Sequence, residues 1–214
     1  KLFNEAIVFE YRSDNPVDKR VVKQMHEDPR QVTIPENTLK LVLEDLERQD
    51  GMGALALRLV FYTAARIKEV LHARWEHLDL DSDNPSWTKP ALHTKAKRLH
   101  RVELSPDAVR LFREARERFG GREWVFPANS ASGHLEHVTK TWERMCKRLG
   151  IKGYVPYDLR RTALTWILAS GVDLKTTMSI SGHTQPTILL KHYAHVMPNK
   201  QREAWDVALE RLEK

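Results

Sequence analysis

The segment MGALALRLVFY, residues 52–62, is apolar nearly all the way round a helix. A helix with that pattern has no face suited to water, so the segment predicts a buried helix. The segment before it, residues 38–49, places its leucine and valine residues on one stripe, which is typical of an amphipathic helix. A buried helix next to an amphipathic one indicates a domain with a substantial helical core.

The rest of the chain predicts more helices and a few short strands. Residues 105–119 begin with Ser105 and Pro106, which are preferred at a helix N-cap and first turn, and they end before two glycines. Other helices are predicted over residues 67–74, 135–149, 159–170, 174–180, 187–193 and 199–212. Strands are predicted over residues 75–80, 86–88, 91–94 and 99–104, with a hairpin tip at 95–98. The predicted fold class is α+β, mainly α-helical with a small antiparallel sheet.

The first 32 residues differ from the rest of the chain. The apolar positions among residues 2–11 recur with a helical period that stops at SDNP, residues 13–16, and a polar stretch follows. A new start is visible at TIPE, residues 33–36. We therefore predict the end of a preceding domain plus a linker over residues 1–32, and one main domain with a C-terminal helix over residues 33–214. Because the sequence starts mid-pattern at Lys1, we expect a fragment of a longer protein.

Composition narrows the classes of function. Lysine and arginine number 35 against 29 acidic residues, a net charge of +6 that favours a polyanionic partner without identifying it. The single cysteine, Cys146, excludes intramolecular disulfides and Cys-based zinc clusters. The most apolar run, residues 163–172, is too short to span a bilayer. We expect a cytoplasmic protein with no membrane partner.

Four stretches far apart in the chain contain residue types suited to phosphate chemistry. They are AARIKEVL at residues 64–71 with Arg66, YDLRR at 157–161 with Arg160, SGH at 181–183, and KHYAH at 191–195 with Tyr193. In this order they resemble the active-site signature of tyrosine recombinases, the phage integrase family. The resemblance covers residues 33–198 and implies that family's catalytic-domain fold. It also implies that residues 1–32 hold the C-terminal helix of a missing core-binding domain plus a linker.

The two arginines suit a phosphodiester under attack. Such a phosphate gains negative charge on its non-bridging oxygens, and a guanidinium fork binds two oxygens while staying charged. Arg66 and Arg160 are therefore the predicted clamp, with Glu69 able to orient a neighbouring basic group. His183 is expected to hydrogen-bond the scissile phosphate. The alternative for any single arginine is an ordinary surface or ion-pair role, and the ordered motifs argue against it here.

Tyrosine and lysine supply the remaining roles that the resemblance implies. Tyr193 is the expected nucleophile, whose attack leaves a 3′-phosphotyrosine and a free 5′ hydroxyl without ATP, metal or other cofactor. The 5′ oxygen needs a proton from a general acid, which the family places in the hairpin between the arginine motifs. Lys95 in TKAKR, residues 94–98, is the first choice and Lys97 the second, and the alternative is a pair of solvated hairpin lysines.

Two positions depart from the family pattern. The second arginine motif normally begins with histidine, but Tyr157 stands there, and a phenol is a poor base at neutral pH. We expect slower cleavage, or a proton transferred to water or His183. The interval from His183 to Tyr193 is one residue longer than is commonest in the family, which predicts a bulge or longer loop before the nucleophile helix.

Other sites are weakly supported by the sequence. His134 and His137, and likewise His192 and His195, have a spacing that suits metal ligands on a helix, but no further ligand motif accompanies them. No phosphate-binding loop of the P-loop type is present. We therefore expect neither a metal nor a cofactor.

The C-terminal segment suggests how the protein assembles. Residues 199–212 form an amphipathic pattern that packs either on its own domain or, as the resemblance implies, on a neighbouring protomer. We expect a monomer when free and a homotetramer on double-stranded DNA, with accessory DNA-bending proteins as further partners. The implied function is site-specific recombination for integration or excision of a phage or genomic island. A non-catalytic DNA-binding protein on this fold and a type IB topoisomerase-like enzyme remain the alternatives.

Overall fold

The computed structural model describes residues 2–16, 32–94 and 96–193, and for residues 2, 188 and 191–193 it describes the backbone alone. The chain divides into two compact units between residues 30 and 31. In the first unit, α1 spans Leu2–Val8 and is followed by Glu10 in a left-handed conformation, with φ of 58°. Asn15 donates from Nδ2 to Asn4 Oδ1 at 2.6 Å, so the chain after α1 folds back onto the helix.

The second unit is mainly helical. Its helices are α2 (Glu36–Glu47), α3 (Met52–Thr63), α4 (Ile67–Leu71), α5 (Pro106–Phe119), α6 (Thr139–Leu149), α7 (Tyr157–Ala169), α8 (Leu174–Ser181) and α9 (Pro186–Tyr193). Its strands are β1 (Leu78–Asp79), β2 (Ser86–Lys89) and β3 (His100–Glu103), and short 3-10 helices span Trp75–His77 and Ala91–His93. Among the helices that the structure describes, none has the length and apolar character needed to cross a bilayer.

Helix α3 lies at the centre of the second unit. Nearly all its residues are buried, and it packs against α2, α4, α5, α6 and α7. Gly53 permits the close approach of α6, because a Cβ at that position would lie 2.4 Å from Thr141 Oγ1. The prediction of a buried helix over residues 52–62 is confirmed, and the main hydrophobic core surrounds it.

The sheet is small and antiparallel, in the order β1-β2-β3. Trp87 pairs with Val102 and Lys89 with His100 across β2 and β3. The fold class predicted from the sequence, mainly α-helical with a small antiparallel sheet, is confirmed. The cap predicted for α5 is also present, since Ser105 Oγ accepts a hydrogen bond from Ala108 N at 3.3 Å.

One predicted strand is absent, and another is shorter than predicted. The sequence predicts an extended segment over residues 91–94, but residues 91–93 form a 3-10 turn in which Pro90 O accepts from His93 N at 3.0 Å. Proline has no amide hydrogen, so a ladder could not have continued through it. Residues 75–80 pair only at Leu78 and Asp79, because a turn closed from Arg74 O to His77 N takes up the first half. The helix predicted over residues 199–212 lies outside the described residues.

Candidate active site

Arg66 stands at the turn between α3 and α4. Helix α3 ends at Ala64, which has a left-handed φ of 48°, and Arg66 then forms the extended N-cap of α4. Glu69, in the first turn of α4, reaches back and accepts from Arg66 N at 3.2 Å and from Arg66 Nη1 at 2.7 Å. The Arg66 side chain is 21% exposed, whereas that of Glu69 is buried. The carboxylate thus holds the guanidinium from its inner side while part of the fork faces solvent.

Arg160 lies in the first turns of α7 and is fully buried. Its Nη1 donates to Ala64 O, and its Nη2 donates to Ser181 O at 2.8 Å. Ala64 precedes Arg66 by two residues, and Ser181 precedes His183 by two residues. One guanidinium therefore joins the two backbone segments that present the other predicted phosphate-binding side chains.

His183 follows directly on the end of α8. Gly182 terminates this helix with a left-handed φ of 68°, a conformation that glycine adopts without strain. Ser181 Oγ and His183 Nδ1 share a hydrogen bond of 2.7 Å, which orients the imidazole. Close by, His100 on β3 donates from Nε2 to Ser179 O at 2.6 Å. This hydrogen bond attaches strand β3 to α8 close to His183.

A cavity of about 280 Å³ lies where these segments meet, and Arg66, Glu69, His100 and His183 are among its lining residues. Cationic and neutral nitrogen donors face one space there, an arrangement suited to binding an oxyanion. Burial raises the pKa of the Glu69 carboxyl, but nearby Lys89, Arg66 and Arg160 outweigh it, and the net pKa lies below the usual value. Glu69 is thus ionised at neutral pH. Within the described residues, no group of three or more His, Cys, Asp or Glu side chains could hold a metal ion.

The structure brings three of the six predicted site residues near one another. Arg66 and His183 line the cavity, whereas Arg160 is fully buried, is not among the lining residues described, and bonds to the segments that present the other two. Tyr157 begins α7 and is 42% exposed, and its ring centre lies 5.3 Å from the Arg161 guanidinium carbon. It is not among the cavity-lining residues described. Tyr193 ends α9, and its side chain lies outside the described part of the chain. Lys95 lies outside the described residues. Lys97, the second choice, is exposed beside the turn that Thr94 closes by donating from Oγ1 to Arg98 O at 2.8 Å.

Sequence reasoning missed two residues of this region, Lys89 and His100. Lys89 is buried at the end of β2, with Nζ 3.2 Å from Glu69 Oε2. Its signal was the strand period, because Lys89 lies two residues after the buried Trp87 and so on the same face. Burial lowers the pKa of Lys89 to about 8, although the neighbouring Glu69 opposes that shift. His100 had no comparable local signal.

The family model described as "Phage integrase family" matches residues 33–200. The chain belongs to the phage integrase family. Prophage integrase IntZ of Escherichia coli (strain K12) is 32% identical over an alignment of 208 residues that covers 92% of this chain and 46% of that relative. Prophage integrase IntA of the same strain is 28% identical over 145 residues, covering 67% of this chain and 32% of that relative. The chain thus spans less than half the length of these two curated relatives.

Solved structures of a recombinase and of an integrase share the fold. The XerH site-specific recombinase, in a post-cleavage complex with its difH substrate, superposes with a TM-score of 0.67 at 17% identity, covering 87% of this chain and 56% of that one. The catalytic domain of bacteriophage HP1 integrase gives a TM-score of 0.59 at 18% identity over 82% of this chain and 93% of that domain. At such identities the likeness establishes the fold of the second unit.

Proposed function

We propose that this protein is a site-specific DNA recombinase that cleaves and rejoins double-stranded DNA through a 3′-phosphotyrosine intermediate. The observation that carries the proposal is the buried Arg160, which bonds to the carbonyls of Ala64 and Ser181 and so brings Arg66 and His183 to one cavity. An anion bound in the cavity meets Arg66 directly, and the charge of Arg160 acts on it from a fully buried position. Membership of the phage integrase family and the DNA-bound state of the XerH neighbour support DNA as that anion.

The proposed reaction exchanges one ester for another. The Tyr193 phenol attacks the scissile phosphorus, its proton goes to water or His183, and the bond from phosphorus to the 5′ oxygen breaks. Lys95, or else Lys97, gives the leaving 5′ oxygen a proton. Arg66, Arg160 and His183 stabilise the charge that develops on the phosphate. Attack by the 5′ hydroxyl of a second strand then releases the tyrosine and completes the exchange, with no cofactor and no net hydrolysis.

We further propose a setting and an assembly. The prophage names of the relatives support integration or excision of a phage or genomic island, which would place the protein in the cytoplasm. Residues 33–214 would form the catalytic domain, and residues 1–32 the end of a core-binding domain with its linker. A monomer in solution would become a homotetramer on DNA through the C-terminal helix, with accessory DNA-bending proteins as partners.

The first test uses covalent capture. DNA that becomes attached to the protein in cells is sequenced, and a duplex with the recovered site and a nick beside the cleavage point then serves as substrate. The wild-type protein is expected to accumulate a covalent adduct that Tyr193→Phe does not form. An equal yield of adduct from Tyr193→Phe would refute the assignment of the nucleophile.

Tyr157 favours a second candidate function, a DNA-binding protein on the same fold without efficient cleavage. On that account the wild-type protein binds the recovered site but gives no adduct under any condition. A type IB topoisomerase-like enzyme would instead relax supercoiled DNA of any sequence. Replacing Tyr157 by histidine is expected to leave cleavage unchanged or make it faster, because imidazole is the better base at neutral pH. A collapse of cleavage in a folded Tyr157→His variant would show that position 157 has another role.

A further inference from the structure

Lys89 is a buried lysine beside the proposed site. Its side chain is 2% exposed at the end of β2, and its Nζ lies 4.6 Å from the centre of the Trp87 ring. An ammonium group loses its hydration when it is buried, so such lysines require a compensating partner. The partner here is Glu69, whose Oε2 lies 3.2 Å from Lys89 Nζ.

Glu69 is also the residue that holds Arg66. Its Oε1 accepts from Arg66 Nη1 at 2.7 Å, and its Oε2 accepts from Arg66 N at 3.2 Å as well as from Lys89. The carboxylate, which belongs to the first turn of α4, therefore joins the N-cap of that helix to the end of β2. The ion pair with Lys89 holds the Glu69 carboxylate in place, and Glu69 in turn holds the Arg66 guanidinium at the edge of the cavity.

The lysine also changes the charge balance of the site. Arg66, Arg160 and Lys89 supply three cations that act on the single carboxylate of Glu69. If Lys89 were uncharged, the negative charge of Glu69 would offset the positive charge of the two arginines alone. The arginines would then attract a phosphate less strongly. The buried ammonium offsets the carboxylate and leaves more of the arginine charge for an anion.

We infer that Lys89 is a positioning residue of the proposed recombinase, which acts through Glu69 to hold Arg66 in place and to preserve the positive charge of the phosphate cavity. The reaction in this inference, DNA cleavage, rests on the proposed function. Its geometry rests on the contacts of Glu69 with Lys89 and with Arg66. Lys89 touches Glu69 rather than the solvent-facing cavity, so it acts on the phosphate only indirectly.

A pH dependence follows from the burial of Lys89. The groups that face it are Glu69 and Arg66 from α4 and its N-cap, Arg160 from α7, and His100 opposite it on β3. Burial holds the pKa of His100 below its usual value, and the nearby Lys89 adds to that effect, so His100 stays neutral above pH 7. Burial sets the pKa of Lys89 at about 8, so the ammonium is lost as the pH rises through that value. The cleavage rate should fall with it.

The test measures single-turnover adduct formation between pH 7 and 9.5. Lys89→Met is expected to slow cleavage at pH 7 by about tenfold to a hundredfold, the range for a displaced phosphate-binding group, and to lose the decline near pH 8. The affinity for intact DNA, which depends on many phosphate contacts, should change much less. Lys147→Met, an exposed lysine on α6, is the matched control and should behave as wild type.

A double-mutant cycle separates positioning from packing. If Lys89 acts through Glu69, then Lys89→Met should slow cleavage no further in a Glu69→Gln background, whereas independent effects would multiply. Thermal unfolding of each variant shows whether it folds. The double variant should unfold at a higher temperature than Glu69→Gln alone, because a methionine at position 89, unlike the lysine, can be buried without a partner and without losing a proton.

The outcomes distinguish this inference from the proposed function. A wild-type rate and an unchanged decline near pH 8 in Lys89→Met, or multiplying effects in the cycle, would overturn the role of Lys89 while leaving the recombinase proposal intact. If the wild-type protein forms no adduct, the recombinase proposal fails, and binding of orthovanadate as a phosphate mimic then tests Lys89 alone. Weaker vanadate binding by Lys89→Met would support the positioning role, and equal binding would refute it.

Discussion

At the scale of single residues, Glu69 is the carboxylate around which the candidate site is organised. It is buried, and it accepts hydrogen bonds from Arg66 and Lys89. A carboxylate in that environment remains ionised only because cations surround it, and the cations remain buried only because the carboxylate offsets their charge. Stability and anion binding thus depend on the same side chain.

Replacing Glu69 by glutamine is expected to lower the free energy of unfolding by about 3 kcal/mol at pH 7, since Lys89 would lose its counter-charge and would have to give up its proton to stay buried. Urea denaturation measures the change. Glu143→Gln, an exposed residue on α6, serves as the control and should change stability by less than about 0.5 kcal/mol. Similar values for the two variants would mean that the buried ion pair contributes little.

At the scale of an element, the end of α8 sets the place of His183. Gly182 closes the helix in a left-handed conformation and lies against His100 from β3. A Cβ on this residue would lie 2.9 Å from His100 Nδ1, so a larger residue would push the strand and the helix end apart. The backbone conformation at Gly182 thus determines where His183 lies.

Gly182→Ala should therefore lower the free energy of unfolding by more than the backbone strain alone would. Alanine in a left-handed conformation costs about 1 kcal/mol, and the displacement of His100 should add to this and reduce adduct formation at least tenfold. Gly150→Ala provides the comparison, because Gly150 ends α6 with a φ of 65° and nothing lies within 4 Å of its Cβ position. Thermal unfolding and suicide-substrate cleavage are measured on both. Equal losses in the two variants would show that the contact with His100 does not matter.

At the scale of the whole second unit, long-range contacts converge on a few side chains. Arg160 joins the end of α3 to the end of α8, and a separate cluster joins three other segments through His72, His93 and His134. The rings of His72 and His93 stack with centroids 5.1 Å apart, and those of His72 and His134 lie 4.5 Å apart. The cluster thus places His93 beside other basic side chains from distant parts of the chain.

The histidine cluster predicts a loss of stability in mild acid. Burial lowers the pKa of His93, and His72, Arg74, His77 and His134 lower it further. The folded pKa then lies below the unfolded value, so the contribution of His93 to stability is complete above the unfolded pKa and is lost as the pH falls through the folded pKa. The melting temperature should drop below about pH 6.5. The drop in melting temperature should be smaller in His93→Gln than in the wild-type protein. The control His137→Gln, which alters an exposed histidine, should show the wild-type drop. A drop of the same size in the wild-type protein and both variants would refute the role of His93.

Some features were determined by the sequence alone, because their causes are local. The apolar surface of residues 52–62 was sufficient to predict the buried helix α3, and Ser105 and Pro106 were sufficient to predict the start of α5. The order of the arginine, histidine and tyrosine motifs indicated the family that the comparison with known proteins establishes. Only the tertiary structure decided that Lys89 is buried against Glu69, that Arg160 bonds to two distant carbonyls, and that residues 91–93 turn rather than pair. The physical reason is that burial and pairing of a charge depend on which elements pack around it, and those elements lie far away in the sequence.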